Sequence, residues 1–402
     1  MKYIILVPDG LADEPVEALG GKTPLEAADT PNMDYLAQNG LSALVQTIPD
    51  NLPPGSDIGN LALLGYDPGK DFSGRAPLEA ANLGIMLKKD EVAFRCNLVT
   101  AKNGIMVDYS AGHVSTDEGK NLIEYLQRAI DWPDVRFYPG KSYRHLMVLK
   151  TINVENMRQI KTTPPHDIMG QEFKAYMPKG PQSDVLIKLI EKSCKILEMH
   201  QINKIREADG LNQANMIWLW GQGCRPNLPA FSVRYDLSGA IISAVDLVNG
   251  IGRLVGLDVI TVPGANGYYD TNYKGKAQFA LNSLKGHDFV YVHVEATDEA
   301  GHNGDWKAKK ECCERFDKEI VGHILKSFKQ PKGVRILISP DHPTPVAKRT
   351  HTRAPVPFVM WGDGIPAGKA KDYSETTAAA AGVRFKSGED MVKYFLKKER
   401  DV

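Results

Sequence analysis

Residues 289–302 read FVYVHVEATDEAGH, an apolar run followed by acidic and imidazole side chains. The first six residues are mostly β-branched or aromatic, which predicts a buried strand. Asp298 and His302 follow at a spacing of four, which can place a carboxylate and an imidazole on one face of a helical turn. The stretch therefore predicts a strand that leads into a helix, with polar groups at the carboxyl end of the strand.

Two other apolar runs end in the same way. YIILVPDG (3–10) places Asp9 after its strand, and VRILISPDHPTP (334–345) places Asp341 and His342 after another. In open parallel sheets the ligand crevice lies outside the carboxyl ends of the strands. We therefore expect these side chains to meet in one crevice.

Short β-rich runs alternate with helical patterns at both ends of the chain, which predicts an α/β fold with a mostly parallel sheet flanked by helices. The later part of this pattern includes MIWLW (216–220) as a strand and 239–255 as a helix. Between the two ends of the chain, segments such as VAFRCNLVT and SYRHLMVLK indicate strands with few long helices. We predict a discontinuous core domain, 1–90 and 196–402, and an inserted smaller α+β domain, 91–195.

The amino-acid composition limits the cellular location and the binding partners that we expect for the protein. The chain has 402 residues, with 49 Lys plus Arg against 49 Asp plus Glu, so no overall field attracts nucleic acid or a membrane surface. The five cysteines are irregularly spaced and form no C-x-x-C pair, which argues against a disulfide framework. No signal peptide or membrane-spanning run is recognisable. We expect a cytoplasmic protein, and the sequence leaves a homo-oligomer open.

Six groups at strand ends and loops form the candidate constellation: Asp9, Asp298, Asp341, His302, His342 and His351. Taken singly, such an aspartate is usually a turn or cap residue and such a histidine an ordinary hydrogen-bonding residue. Together in one crevice they would repel or desolvate one another, and divalent metal ions relieve that cost. Mixed nitrogen and oxygen ligands suit two ions such as Zn²⁺ or Mn²⁺. The alternation in FVYVHV makes His293 a sheet residue, outside this set.

Ser56 lies in DNLPPGSDIGN (50–60), before the apolar positions of a predicted helix. Its ordinary role there is a helix N-cap. Near two metal ions, a serine at a helix N-terminus is also well placed to attack a phosphoryl group. Asn60, one helical turn on, either donates to the transferring phosphoryl group or is an exposed helical residue.

These motifs resemble the alkaline-phosphatase superfamily, and within it the archaeal-type cofactor-independent phosphoglycerate mutases. The resemblance rests on PDG, GSDIGN, EATDEAGHNGD, SPDHPTP and THT, and extends to GYDP, FSGRAPLEAA, DYSAGH, SYRHLMV, TPPHD and LWGQG. It implies two divalent ions, Mn²⁺ above Zn²⁺, Co²⁺ or Mg²⁺, and no 2,3-bisphosphoglycerate. The implied ligand sets are Asp9, Ser56, Asp341 and His342 for one ion, and Asp298, His302 and His351 for the other.

The resemblance also implies the reaction, the interconversion of 2-phosphoglycerate and 3-phosphoglycerate through a phosphoserine at Ser56. The inserted domain would then be a lid over a small phosphorylated carboxylate. Basic candidates for binding that substrate are His113, Arg144, Arg95, His145 and His166 in the insertion, and Arg225, Lys274 and Lys276 in the core domain. Each of them has a solvated surface charge as its alternative.

Three other functions remain open from the sequence. A homoserine kinase-like phosphotransferase on the same scaffold is one, although the chain has no G-x-x-x-x-G-K-[ST] loop for a nucleotide. A metal-dependent phosphatase or phosphodiesterase would result if water reached the phosphoserine. A non-catalytic binding protein is the third, and the intact constellation argues against it.

Overall fold

The structure, a computed structural model, describes residues 1–328 and 330–397. These residues form thirteen strands: β1 (Lys2–Pro8), β2 (Leu41–Val45), β3 (Glu91–Lys102), β4 (Ile105–Asp108), β5 (Val135–Tyr138), β6 (Arg144–Lys150), β7 (Met216–Cys224), β8 (Gly239–Ile242), β9 (Asp258–Val259), β10 (Phe289–Val294), β11 (Val334–Ile338), β12 (Val356–Gly362) and β13 (Arg384–Phe385).

The same residues form seventeen α-helices: α1 (Pro24–Ala27), α2 (Pro31–Asn39), α3 (Ser56–Leu63), α4 (Pro68–Asp71), α5 (Arg75–Asn82), α6 (Thr116–Ala129), α7 (Val154–Arg158), α8 (Ser183–Leu197), α9 (Gln201–Ala208), α10 (Phe231–Tyr235), α11 (Asp246–Leu254), α12 (Tyr273–Ser283), α13 (Ala296–Asn303), α14 (Trp306–Arg315), α15 (Gly322–Ser327), α16 (Glu375–Ala380) and α17 (Gly388–Leu396). A π-helical segment, Phe316–Val321, joins α14 to α15. No described helix has the length and apolar character that a membrane crossing needs.

The chain divides into two compact units. The core unit comprises Met1–Phe72 and the segment from Leu228 onward, and the inserted unit comprises Ser73–Asn227. The predicted insertion, 91–195, lies inside the inserted unit, which begins earlier and ends later. The reason is packing: alanines of α5 pack in one apolar cluster with side chains of β3 and β6, and β7 pairs with β3.

The core unit is built on an eight-stranded sheet in the order β13-β2-β12-β11-β1-β10-β8-β9. Strands β11, β1, β10, β8 and β9 run parallel to one another, whereas β12 is antiparallel to both of its neighbours. The predicted α/β class with a mostly parallel sheet is therefore confirmed. Strands β10 and β11 are buried throughout, and β1 is buried beyond its first residue. Such burial is expected for parallel strands covered on both faces.

The inserted unit has its own sheet of five strands, in which β3 pairs antiparallel with β4, β6 and β7, and β6 with β5. The prediction that 216–220 belongs to the core sheet was wrong, because an apolar run does not specify which strand it will pair with. The helix predicted from residue 239 was also wrong at its start. Residues Gly239–Ile242 form a buried strand beside β10, and periodicity cannot separate a short buried strand from a buried helix.

Candidate active site

Three adjacent strands of the core unit bring the acidic residues together. Strand β1 lies between β10 and β11, parallel to both, so the three carboxyl ends share one edge of the sheet. Asp9 directly follows β1, Asp341 follows β11 after a short turn, and Asp298 lies in the first turn of α13, just beyond β10. All three are buried. The convergence expected from the sequence is therefore present.

Ser56 is the first residue of α3, and Gly55 occupies the N-cap position without a side-chain capping bond. The capping role predicted for Ser56 was wrong, because the chain enters the helix one residue earlier. The hydroxyl is instead directed at the sheet edge, and Ser56 Oγ lies 3.1 Å from Nε2 of His342. A hydroxyl at a helix N-terminus faces the positive end of the helix dipole, which favours an anion at this position.

Hydrogen bonds fix the tautomer of His342. Thr344 donates its hydroxyl proton to the Asp298 carboxylate, which can only accept, so Thr344 Oγ1 accepts from His342 Nδ1 at 3.2 Å. Burial lowers the pKa of His342, so the ring is neutral and its Nε2 is unprotonated. It faces Oδ1 of Asp9 and Oδ2 of Asp341, each at 3.4 Å. These electron pairs repel one another unless a cation lies among them.

Asp9 gives the clearest sign that the site suits a positive charge. Its Oδ1 is buried and has no hydrogen-bond partner among the described residues. Burial, followed by the carboxylates of Asp341, Asp298 and Glu295, raises the pKa of Asp9 well above its usual range. A buried carboxylate oxygen without a donor is costly, and a metal ion is the usual solution.

The other half of the constellation surrounds Asp298. Nε2 of His302 lies 3.3 Å from its Oδ2, Nε2 of His351 lies 3.5 Å from its Oδ1, and the two Nε2 atoms are 2.9 Å apart. His302 Nδ1 donates to the carbonyl of Arg349 at 3.0 Å, which orients the ring. The hydrogen bond to Asp298 raises the pKa of His302 to about 9, so a positive charge is favoured at this nitrogen.

The residues fit divalent metal ions. Ligand atoms of Asp298, His342 and His351 lie within 4.8 Å of one another, which connects the two halves of the site. The unpartnered Asp9 oxygen, the unprotonated His342 nitrogen and the facing histidine nitrogens all need a cation. Mixed imidazole and carboxylate groups are the ligands that Mn²⁺ and Zn²⁺ accept.

In the inserted unit the structure brings together four of the basic residues predicted from the sequence. The Arg95 guanidinium lies 3.9 Å from the centre of the Trp220 ring and also pairs with Glu79. The aromatic rings link the other members through edge contacts between Trp220 and His166, His166 and Tyr109, Tyr109 and Tyr143, and Tyr143 and His113, with Arg144 beside Tyr143. We call Arg95, His113, Arg144 and His166 with these rings the basic cluster. Arg144, His113 and His166 are exposed.

The loop that carries His113 is held in a strained conformation. Ala111, Gly112 and His113 have φ angles of 51°, 64° and 50°, in the left-handed region that non-glycine residues seldom adopt. The carboxylate of Asp108 fixes the loop by accepting from the backbone of Ser110 and Gly112. Strain maintained in this way is common at ligand-binding positions.

Two other basic residues differ from expectation. Arg225 is exposed in the loop after β7 and belongs to the inserted unit rather than to the core. His145 is buried, and burial lowers its pKa to about 3, so it offers no charge to an anion.

The chain was compared with known proteins. A family model described as 2,3-bisphosphoglycerate-independent phosphoglycerate mutase matches residues 37–203. The enzyme of that name from Methanosarcina barkeri is 48% identical over 400 residues, 99% of this chain and 100% of the relative. The chain belongs to this family. A probable mutase from Geobacter sulfurreducens is 47% identical over 98% of this chain and 100% of its own length.

Solved structures agree with this assignment to the mutase family. The cofactor-independent phosphoglycerate mutase of Thermoplasma acidophilum has a TM-score of 0.70 at 27% identity, covering 98% of this chain and 99% of that one. A Pyrococcus horikoshii protein has a TM-score of 0.83 at 32% identity, covering 98% of this chain and 96% of that one.

Sequence reasoning missed two residues beside the mutase-family motifs. His293 Nε2 donates to Asp9 Oδ2 at 3.0 Å, while its Nδ1 accepts from Ser243 at 3.2 Å. His293 is therefore a hydrogen-bond donor that orients Asp9. Glu295 contributes a carboxylate oxygen within 4.8 Å of those of Asp9 and Asp298, and burial, then Asp298, raise its pKa to about 8.

The structure distinguishes the two lysines of α12 that the sequence offered together. Lys274 is exposed, whereas Lys276 is fully buried and donates to the carbonyl of His293 at 2.8 Å. Burial lowers the pKa of Lys276 to about 8 although Glu295 opposes the shift. Lys276 therefore adds a positive charge near the mutase-family carboxylates.

Proposed function

We propose that this chain interconverts 2-phosphoglycerate and 3-phosphoglycerate by transferring the phosphoryl group through Ser56. The observation that carries the proposal is the Ser56 hydroxyl, 3.1 Å from the unprotonated nitrogen of His342 and at the N-terminus of α3. Membership of the mutase family gives the reaction class, an isomerisation by intramolecular phosphoryl transfer. No observation favours the homoserine kinase-like or the phosphatase alternative.

The residues proposed to hold one divalent ion are Asp9, Ser56, Asp341 and His342, and those for the second are Asp298, His302 and His351. Two such ions, when bound, neutralise phosphoryl oxygens and lower the pKa of a hydroxyl. Mn²⁺ is our first choice, with Zn²⁺, Co²⁺ and Mg²⁺ as alternatives, and 2,3-bisphosphoglycerate is not required. Five unpaired cysteines support the cytoplasm as the location.

In the first half-reaction Ser56 Oγ bonds to phosphorus and the bond from phosphorus to the glycerate oxygen breaks. The departing glycerate oxygen gains a proton and Ser56 loses one, so the charge balances. In the second half-reaction the other glycerate hydroxyl attacks phosphorus and loses its proton, the bond from phosphorus to Ser56 Oγ breaks, and Oγ takes up a proton. Glycerate must stay bound in between, because its loss would leave water as the acceptor.

We assign the binding of a substrate oxyanion to the basic cluster of the inserted unit. Arginine binds carboxylate and phosphate through paired donors, and Arg144 is exposed and therefore accessible. Arg144→Ala should raise KM for 3-phosphoglycerate by about 10- to 100-fold, the loss of one charged hydrogen bond. Arg136→Ala, which removes an exposed arginine from β5, is the matched control and should leave KM unchanged. An unchanged KM in Arg144→Ala would remove this residue from the assignment.

The central test follows 3-phosphoglycerate by ³¹P nuclear magnetic resonance after chelator treatment and addition of Mn²⁺. Wild type should form 2-phosphoglycerate, and Ser56→Ala should form none. Ser42→Ala is the control, because Ser42 is a buried serine of β2 without a described hydrogen bond from its hydroxyl. Isomerisation by Ser56→Ala would refute the phosphoserine route, and release of free phosphate faster than isomer formation would identify a phosphatase.

A further inference from the structure

A buried chain of hydrogen bonds connects β10 to α3, the helix that begins at Ser56. Tyr291 of β10 donates its hydroxyl proton to Oδ1 of Asn60 in α3 at 2.6 Å. Nδ2 of Asn60 donates to the Ser56 carbonyl and to Oδ2 of Asp341, both at 2.8 Å. Tyr291 and Asn60 are both fully buried. Neither predicted role of Asn60, an exposed residue or a donor to the phosphoryl group, agrees with these contacts.

The donor and acceptor character of the groups fixes the direction of each of these hydrogen bonds. The Ser56 carbonyl and the Asp341 carboxylate can only accept, so the amide nitrogen of Asn60 must face them. The amide oxygen is then left for Tyr291, whose hydroxyl must donate. Both amide protons of Asn60 are consumed, and the orientation of the amide is fixed at three points.

The same face of α3 approaches Asp341 closely. A Cβ on Gly59 would lie 2.4 Å from the Asp341 carbonyl oxygen, so only glycine fits at this position. Ser56, Gly59 and Asn60 lie on one face of the helix at spacings of three and four. The other oxygen of Asp341 accepts from the backbone nitrogens of Gly10 and His342. Asn60 is therefore the described side-chain donor that sets the position of Asp341 relative to Ser56.

We propose that Tyr291 is a positioning residue for Ser56 and Asp341, acting through the Asn60 amide. The inference rests on the proposed function, in which Asp341 and Ser56 hold the same ion. Without the Tyr291 hydroxyl, Asn60 Oδ1 is buried without a donor, and the amide is free to turn away from Asp341. The side chains proposed to hold that ion then lose their fixed separation. The side chains proposed to hold the other ion, Asp298, His302 and His351, keep their separation.

Calorimetric titration of Mn²⁺ into chelator-treated protein tests the inference. Tyr291→Phe should weaken one of two binding events by about 10- to 100-fold, the usual cost of losing a residue that orients a ligand, and leave the other unchanged. Tyr373→Phe is the control: Tyr373 is equally buried, and its hydroxyl donates to the Pro357 carbonyl at 2.9 Å. Both variants lose one buried hydrogen bond, so a stability effect alone would appear in both.

The outcomes separate the two proposals. If wild type binds no Mn²⁺, the metal site of the proposed function fails. If wild type binds two ions and Tyr291→Phe binds both as tightly as Tyr373→Phe does, the positioning role is refuted. Asn60→Ala gives a second test that does not depend on Tyr291→Phe folding: it should weaken the same binding event. Adding Tyr291→Phe to Asn60→Ala should weaken it no further, and additive losses would contradict an action through Asn60.

Discussion

Replacing Asp9 with asparagine should stabilise the metal-free protein and remove the part of its response to Mn²⁺ that comes from the ion proposed at Asp9. Asp9 Oδ1 is buried without a donor, and burial with neighbouring carboxylates raises the pKa of Asp9 well above its usual range. The ionised carboxylate is therefore unfavourable in the folded protein at neutral pH. An unsatisfied buried group costs about 1–3 kcal/mol, and an asparagine amide would donate to the carboxylates around it. We expect the free energy of unfolding in chelator to rise by about that amount.

Urea denaturation with chelator and with Mn²⁺ measures both effects. Each bound ion should stabilise the wild type by about 2.7 kcal/mol at a Mn²⁺ concentration 100 times its Kd, and Asp9→Asn should lose the gain from the ion that Asp9 is proposed to hold. Asp317→Asn is the control, because the Asp317 carboxylate accepts from the Met33 amide and the Asn32 side chain, both at 2.7 Å, away from the site. It should destabilise the protein in both buffers and keep the Mn²⁺-dependent gain. A less stable Asp9→Asn protein in chelator, or one with the full gain, would refute the reasoning.

Three further predictions concern stability. Burial raises the pKa of Glu375 from 4.5 to about 7, so the stability contributed by its protonated form is lost as pH rises from 4.5 through 7. Glu375→Gln should remove about 3 kcal/mol of that pH dependence in urea denaturation. Lys309 and Asp13 form a buried pair at 2.7 Å, and Lys309→Met should cost about 3–5 kcal/mol, with partial recovery in the double variant with Asp13→Asn. Gly59→Ala should cost about 1–3 kcal/mol by overpacking against Asp341, and an unchanged melting temperature would contradict that close approach.

The sequence predicted the features of the fold that depend on local pattern. The runs ending at Asp9, Asp298 and Asp341 are buried parallel strands, since apolar β-branched residues followed by turn residues specify a strand locally. Partner choice is not local, and β7 pairs with β3 of the inserted unit although its run resembles a core strand. The early start of the inserted unit likewise depends on how α5 packs, which no stretch of sequence displays.

The polar groups at the strand ends were predictable because the topology of a parallel sheet brings them together. The residues that orient them were missed because they lie within strands and helices. A signal was present: Tyr291 and His293 occupy alternate positions of an otherwise apolar strand, so their polar atoms project from one face. In a strand that is buried on both faces, such alternation means that the polar groups have partners. Those partners, Asn60 and Asp9, come from other elements and are visible only in the structure.

Ser56 and His342 are 286 positions apart in the chain, and β1 pairs with two strands that are synthesised far later. At about 5–20 residues per second, roughly 15–60 s pass on the ribosome between them. The inserted unit, one continuous segment, is complete before β10 and β11 emerge. For most of that interval, until β10 is synthesised, β1 lacks both neighbours, so the nascent chain exposes an apolar strand that chaperones can bind. A prematurely terminated chain would contain Ser56, the proposed nucleophile, without its partner His342.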